Sequence, residues 1–161
     1  MYALIIFVLD QAAKYAIVHS MNRGDAIPVI GEFFQIVSHR NRGAAFGILQ
    51  NQRWFFIVIT VVIVAGIFYF MQKMIRDGQK GLLPLALSLL LGGALGNFVD
   101  RALFGEVVDF LQFRFQFSFF GKAVDYTYPI FNIADSAIVI GVALIFVDSV
   151  IGWMKERRGL A

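Results

Sequence analysis

The sequence has no cysteine among its 161 residues and only two histidines, His19 and His39. The lack of cysteine excludes disulfide bonds, thiolate metal sites and a cysteine nucleophile. The two histidines are far apart and do not have the spacing of zinc ligands, which argues against a zinc site. We expect both histidines to lie at the surface or at an interface.

Three larger features are also missing. No internal repeat is evident, and no pair of helices broken by glycine or proline occupies matching positions in two halves, as in many transporters. A separate cleavable signal peptide is not evident either, because the first apolar segment begins at Met1 without a basic leader.

Charged residues are scarce. They make up 16% of the chain, with a net charge of +3, whereas hydrophobic residues make up 59%. A soluble domain is usually about 45–50% apolar, so the excess predicts a membrane protein, and the length predicts one domain over residues 1–161. The pI of 9.4 would indicate nucleic-acid binding in a soluble protein. Here the basic residues form short clusters beside apolar segments, which indicates control of membrane topology instead.

Four apolar segments each approach the ~20 residues that a membrane-spanning helix needs. They cover about residues 1–20, 54–71, 81–99 and 130–154. Aromatic residues typical of the membrane interface lie near the segment ends: Trp54, Tyr69, Tyr128 and Trp153.

Lysine and arginine are densest between the second and third segments and at the C-terminus. These residues are Lys73, Arg76, Lys80, Lys155, Arg157 and Arg158. An even number of spans puts both clusters on one side, which the positive-inside rule identifies as the cytoplasm. We therefore expect both termini in the cytoplasm, and the long connections 21–53 and 100–129 outside.

The outer connections contain two strand candidates. Phe113, Phe115 and Phe117 alternate with polar residues, and this period of two predicts a strand with one apolar face. Residues 33–39 are the second candidate, after Pro28 and Gly31, which we interpret as turn residues. The predicted fold is a mainly α membrane protein with four transmembrane helices and a small extracytoplasmic β-sheet. Irregular amphipathic loops are the alternative to the sheet.

Several polar residues interrupt or flank the apolar segments. Asp10 and Lys14 are four residues apart and therefore share one face of the first helix. They are either a structural ion pair that anchors the helices or residues that take part directly in the chemistry of the site. Asn41 opens a stretch of small residues, which is either a turn into the second helix or a place where the amide meets a substrate backbone.

Residues 92–97 combine small residues with Asn97, and we expect them to end the third helix and to pack closely against another helix, with Asn97 bonding across helices. Asp100 and Arg101 follow directly. They are either a structural pair at the membrane interface, or Arg101 holds a peptide carbonyl or a lipid phosphate.

Asp109 and Asp135 lie at the ends of apolar stretches, where ionisable groups facing a protein interior indicate a functional site. Two such acids, brought together, share a proton and activate water without a metal or a thiol. Asn132 lies one turn before Asp135, so both face the same way if the fourth helix has begun there.

Three alternatives remain open at this point. Ser136 is a nucleophile if the fold brings Lys14 to it as a base. Asp10, Lys14 and Asp135 are a possible relay in a small proton- or ion-coupled transporter. The acids are otherwise interhelical contacts in a non-enzymatic assembly factor.

The motifs, taken together, resemble those of bacterial lipoprotein signal peptidase, also called signal peptidase II or prolipoprotein signal peptidase. The matching stretches are DQAAK (10–14), NRGAAF (41–46), GGALGNFVDR (92–101) with VVDF (107–110), and FNIADS (131–136). Each stretch alone is weak evidence. Four in the same order, over essentially the whole chain, are specific to this family.

The resemblance implies an intramembrane aspartic endopeptidase of the bacterial cytoplasmic membrane, with its active site near the outer face and no metal or other cofactor. It implies diacylglyceryl-modified prolipoproteins as substrates, cut just before the modified cysteine. It also implies contact with membrane lipids, inhibition by globomycin-type peptides, no nucleic-acid partner and a monomeric state.

The family pattern also assigns roles to residues of this sequence. The catalytic pair is Asp109 and Asp135, and Asp100 is a supporting residue. The remaining roles are pocket lining for Asn41, Arg101 and Asn132, and stabilisation of the site for Asp10 and Lys14.

Two features depart from the family pattern. The stretch between Asp109 and Asp135 is longer than in many members, with phenylalanine-rich sequence around residues 113–125. This difference bears on the sheet and the pocket rim, and the role of the 110–129 connection stays open. The first segment also lacks a basic leader.

Overall fold

The computed structural model describes residues 1–44, 48–78, 81–157 and 159. Within these ranges the chain forms four long helices and four strands. In order they are α1 (Tyr2–Ser20), β1 (Ala26–Ile30), β2 (Phe34–Asn41), α2 (Arg53–Arg76), α3 (Leu82–Phe104), β3 (Val107–Phe119), β4 (Lys122–Thr127) and α4 (Ile133–Arg157). All four helices are long and apolar enough to cross a membrane. The predicted fold class, four transmembrane helices with a small β-sheet, is confirmed.

Helix α3 is the centre of the bundle and contacts α1, α2 and α4. Glycines allow these close contacts, because an added side chain at Gly92, Gly93 or Gly96 would overlap a neighbouring helix. A Cβ atom at Gly92 comes within 2.6 Å of the Ala3 carbonyl oxygen, and one at Gly93 overlaps Ala134. The small-residue stretch therefore packs between helices, as the sequence predicts.

The prediction that residues 92–97 end the third helix is wrong. Helix α3 continues to Phe104 and ends at Gly105, which has a left-handed φ of 75°. The polar residues after Asn97 do not break the helix, because Asp100 and Arg101 both find partners inside the protein. Gly105 ends the helix because its conformation suits a residue without a Cβ atom.

The sheet is antiparallel, with strand order β1-β2-β3-β4. The two predicted strands are confirmed as β2 and β3, paired in a register that sets Phe34 opposite Phe113. The interpretation of Pro28 as a turn residue is wrong, because Pro28 lies in β1. Proline is tolerated there because β1 is an edge strand and does not need every N–H donor.

Strands β3 and β4 form a long hairpin, whose register runs from Arg114 opposite Thr127 to Phe119 opposite Lys122. The phenylalanine-rich stretch between the two aspartates therefore extends the sheet. At its base, β3 packs on α1 through a cluster of Ile17, Met21, Val108 and Phe110. This contact fixes the start of β3, and with it Asp109, against the helix bundle.

Candidate functional site

Asp109 lies at the start of β3, on the part of the strand that is buried against the helices. Its side chain is almost completely buried. One carboxylate oxygen accepts a hydrogen bond from the Asn41 amide at 3.0 Å, and the other accepts one from the Asn132 amide at 2.8 Å. Burial and the nearby Asp135 carboxyl raise the pKa of Asp109 to about 7, against the opposing effect of these two amides.

Asp135 lies in the first turn of α4. Residues Asn132 and Asp135 form a reciprocal cap at the start of this helix: the Asn132 side chain accepts from the Asp135 backbone N–H at 2.9 Å. The Asp135 side chain accepts from the Asn132 backbone N–H at 3.1 Å. This capping box holds the carboxyl in one orientation, at a helix end where negative charge is favourable.

Asn132 connects the two acids. It has no exposed surface, and its side-chain amide donates to Asp109 while its side-chain oxygen caps the backbone at Asp135. The sequence predicted that Asn132 and Asp135 face the same way if α4 has begun by Asn132. The helix begins one residue later, at Ile133, and Asn132 caps it. The consequence is nevertheless that Asn132 and Asp135 face the same site.

A third asparagine, Asn97 of α3, completes this polar network. Its amide donates to Asp135 at 2.7 Å. Its oxygen accepts from the Lys14 ammonium at 3.0 Å and from the Asn132 amide at 3.1 Å. Because Lys14 has only donors, it fixes the Asn97 oxygen towards itself and the Asn97 amide towards Asp135.

Lys14 is buried and lies between two carboxylates of the bundle. Its ammonium is 2.8 Å from Asp10 and 2.9 Å from Asp100. Asp10 also accepts the backbone N–H of Ala134 at 2.9 Å and so holds the start of α4 against α1. This group is a buried ion-pair network behind the two acids, and Asn97 links it to Asp135.

The rim of the site is formed by arginines. Arg101 donates to the Gly43 carbonyl at 2.9 Å, and its guanidinium lies 4.4 Å from the centre of the Phe56 ring. Glu106 is buried and binds both Arg23 and Arg42, the latter at 3.2 Å. These contacts hold the chain after β2 over the two acids.

Both acids line one cavity of about 830 Å³. Its polar lining includes Asn41, Asn97, Arg101, Asp109, Asp135 and Ser136. The rest of the wall is mainly apolar and comes from the sheet and from α4, with Phe33, Phe113, Phe115, Ile138, Val139 and Ile140. The cavity can therefore hold apolar chains beside a pair of carboxyls, one of which, Asp109, has a pKa raised to about 7.

The site residues expected from the sequence divide into two groups. Asp109, Asp135, Asn41 and Arg101 line the cavity, with Asn132 directly beneath the two acids. The other three lie behind the cavity as the buried ion-pair network: Asp10, Lys14 and Asp100. Ala45 and Phe46 of the 41–46 motif, and the basic residues Lys80 and Arg158, lie outside the described residues.

The serine–lysine alternative has no geometric support. The Ser136 hydroxyl donates to the Asn132 carbonyl at 3.0 Å, while Lys14 is bound to Asp10, Asp100 and Asn97. His19 and His39 are both exposed, as expected, and His19 bonds to the Tyr15 carbonyl.

Sequence reasoning was incomplete for Asn97 and missed Glu106. The expectation that Asn97 bonds across helices is confirmed by its bonds to Lys14 and Asp135, but its contact with one of the two acids was not predicted. Glu106 received no role, and its position in the connection before β3 gave no indication that it binds two arginines.

Comparison with known proteins identifies relatives along nearly the full chain. A family model described as signal peptidase (SPase) II matches residues 2–151. A protein of Bacillus pumilus named lipoprotein signal peptidase is 51% identical and covers 97% of this chain and 94% of its own length. One of Bacillus subtilis with the same name is 46% identical, covering 98% and 96%. Two solved structures described as a bacterial membrane enzyme have TM-scores of 0.79 and 0.75, at 45% and 46% identity. The first covers 92% of this chain and 85% of its own, and the second 91% and 88%.

Proposed function

The chain belongs to the signal peptidase II family, a family of aspartic peptidases, and from this premise we propose that Asp109 and Asp135 are its catalytic pair. The enzyme removes the signal peptide from lipidated prolipoproteins, cutting before the diacylglyceryl-modified cysteine. The observation that carries the assignment is that Asn132 donates to both carboxyls, to Asp109 from its side chain and to Asp135 from its backbone N–H, while both acids line one mainly apolar cavity.

The proposed reaction uses the two acids in different protonation states. Asp135 takes a proton from water, whose oxygen attacks the scissile carbonyl carbon, while protonated Asp109 donates its proton to the carbonyl oxygen. The tetrahedral intermediate then collapses: the C–N bond breaks, Asp135 gives its proton to the leaving amine, and Asp109 recovers one from the intermediate. A pKa of about 7 supports Asp109 as the acid, because it keeps the carboxyl largely protonated up to neutral pH.

Asparagines hold both acids in place. Asn97 and the Asn132 backbone donate to Asp135, and the Asn41 and Asn132 side chains donate to Asp109. Asn41 and Arg101 also line the cavity and are proposed to hold the peptide backbone across the acids. Asp10, Lys14 and Asp100 are proposed to keep α1, α3 and α4 in place.

Lipid recognition follows from where the cavity opens. Its wall includes Val139 and Ile140 of α4, both of which are exposed on the surface of a helix long enough to span the membrane. Acyl chains attached to the substrate can therefore remain in the bilayer while the peptide reaches the acids. Each buried CH₂ contributes about 0.8 kcal/mol, so two acyl chains provide a large share of substrate binding.

The charge distribution supports an active site at the outer face of the cytoplasmic membrane. Both acids lie at the end of the bundle that carries the sheet. Lys73, Arg76, Lys155 and Arg157 lie in the last turns of α2 and α4, at the opposite end. The positive-inside rule then puts both termini in the cytoplasm. One chain supplies every residue of the proposed site, in keeping with a monomer formed by a single membrane domain.

Cleavage of a synthetic precursor tests the function directly. Purified enzyme should cleave a precursor whose cysteine carries diacylglycerol, giving a mobility shift on a gel, and should leave the unlipidated precursor intact. Globomycin should block the shift. Failure to cleave the lipidated precursor, or equal cleavage of both precursors, would contradict the proposal.

A further inference from the structure

A second cavity adjoins the one that contains the two acids. It has a volume of about 360 Å³, and five residues line both cavities: Asn41, Ala44, Tyr128, Pro129 and Ile130. The two spaces are therefore separated by a thin common wall. Asn41, which forms part of that wall, also donates a hydrogen bond to Asp109, so the second cavity begins next to a catalytic carboxyl.

The second cavity differs from the first in chemistry. Its remaining lining is polar or aromatic and comes from β2, β3, β4 and the chain before α2: His39, Gln50, Gln112, Tyr126 and Thr127. The lining contains no carboxylate, lysine or arginine among the described residues. The apolar cavity suits acyl chains and a signal peptide, whereas this one offers amides, hydroxyls and an imidazole.

Two of these polar side chains are available to a ligand. The side chains of Gln112 and Thr127 make no hydrogen bond to any other residue within the described ranges. The strand register puts Gln112 beside Gln35, and Thr127 opposite Arg114 two residues further along β3, so both lie on the same face of the sheet. A third cavity of about 430 Å³ on this face is lined by Gln112, Thr127, Gln35, Arg114 and Asp125, which extends the polar surface along the hairpin.

The substrate chain must continue past the cysteine that becomes the new N-terminus. The lipid and the signal peptide occupy the apolar side, so the following residues have to leave towards water. We propose that the second cavity binds the first residues after the lipidated cysteine, with Gln112 and Thr127 as their hydrogen-bond partners. This inference rests on the proposed function. It identifies a preference for small, uncharged polar residues at these positions, because amides and a hydroxyl can bond to them without burying an unpaired charge.

Two lipidated precursors distinguish this subsite from the rest of substrate binding. One continues beyond the cysteine with several serines, and the other ends at the cysteine as an amide. For the wild-type enzyme we expect a KM several-fold lower for the longer precursor. Gln112→Leu should raise the KM of the longer precursor by about fivefold, as expected for the loss of one neutral hydrogen bond. Its kcat should stay within about twofold, because a contact made equally in the ground and transition states affects binding alone.

A matched control is available on the same strand. Gln116→Leu makes the same chemical change on the same face of β3, but Gln116 lies outside the lining of the second cavity. It should leave both precursors unaffected. Thr127→Val, which keeps the side-chain shape, provides a second variant if Gln112→Leu does not fold, as judged by thermal unfolding in detergent.

Each outcome bears on the proposal. A rise in KM confined to the longer precursor and to the Gln112 and Thr127 variants supports it. Equal KM values for the two precursors with wild-type enzyme, or an equal change for both precursors in the variants, would overturn it while leaving the peptidase assignment intact. If wild-type enzyme cleaves neither lipidated precursor, the proposed function itself fails, and the subsite fails with it.

Discussion

Replacement of Asn41 by alanine changes the protonation of Asp109 in a predictable direction. The Asn41 amide donates to one Asp109 oxygen at 3.0 Å, and this bond favours the ionised form of the carboxyl. Its loss therefore raises the pKa of Asp109 above the wild-type value of about 7. Because Asp109 is the proposed acid, the enzyme should remain active to higher pH, although its maximal activity falls.

The size of the shift follows from the strength of the lost bond. A hydrogen bond to a charged group is worth about 1.5–3 kcal/mol, and one pKa unit corresponds to 1.36 kcal/mol. Water entering the open cavity replaces part of this contribution, which leaves a rise of about one unit. At pH 8 the protonated fraction of Asp109 then increases from roughly one-tenth to about one-half.

The assay is kcat/KM for a lipidated precursor between pH 5 and 9, since this ratio reports the pKa values of the free enzyme. The alkaline midpoint is read from the shape of the profile, so the lower activity of the variant does not affect it. Asn22→Ala is the control, because Asn22 bonds to Asp25 and neither residue lines the cavity. An alkaline midpoint that stays in place or moves to lower pH in Asn41→Ala would refute the reasoning.

Three further predictions concern stability and are measured by thermal unfolding in detergent. Lys14→Met leaves two buried carboxylates unpaired and should lower the free energy of unfolding by about 3–5 kcal/mol. The control Lys122→Met, on the exposed hairpin, should change it by no more than about 0.5 kcal/mol. A loss below about 1 kcal/mol in Lys14→Met would contradict the buried network. Gly96→Ala puts a Cβ atom 2.5 Å from a carboxylate oxygen of Asp10 and should lower the free energy of unfolding by about 1–3 kcal/mol. The control Gly66→Ala meets open space and should be neutral or stabilising. Equal effects of the two substitutions would contradict the helix packing. Wild-type stability should fall as pH rises from about 4 to 7, because folded Asp109 binds its proton more tightly than the unfolded chain does. Asp109→Asn removes this dependence and should therefore gain stability relative to wild type between pH 5 and pH 8; a constant difference would argue against the raised pKa.

Local sequence rules predicted the features that depend on neighbours along one element. The apolar segments predicted the helices because length and hydropathy alone decide whether a helix can span a bilayer. The spacing of Asp10 and Lys14 predicted their ion pair because residues four apart share a helix face. The alternation of phenylalanines with polar residues predicted β3, because residues two apart share one face of a strand.

Features that depend on distant contacts were outside the reach of these rules. Strands β1 and β4 are short and almost wholly exposed, so no buried face gives them an alternating pattern. The juxtaposition of Asp109 with Asp135 depends on the cap at Asn132 and on the packing of β3 against α1, and neither is visible in local periodicity. Only the order of the four motifs selected these two acids. The orientation of Asn97 depends on Lys14 from another helix, which explains why the sequence predicted a bond across helices but not the bond to Asp135.

The central claim is that Asp109 and Asp135 act as one catalytic unit on lipidated prolipoproteins. The most direct measurement is kcat for a lipidated precursor with Asp109→Asn, Asp135→Asn and the double variant, each shown to insert into membranes and to purify as a folded protein. Each single variant should lose at least about 10³-fold in kcat, and the double variant should lose little more, because residues that act as a unit have non-additive effects. Near-normal turnover by either single variant would contradict the assignment of the pair.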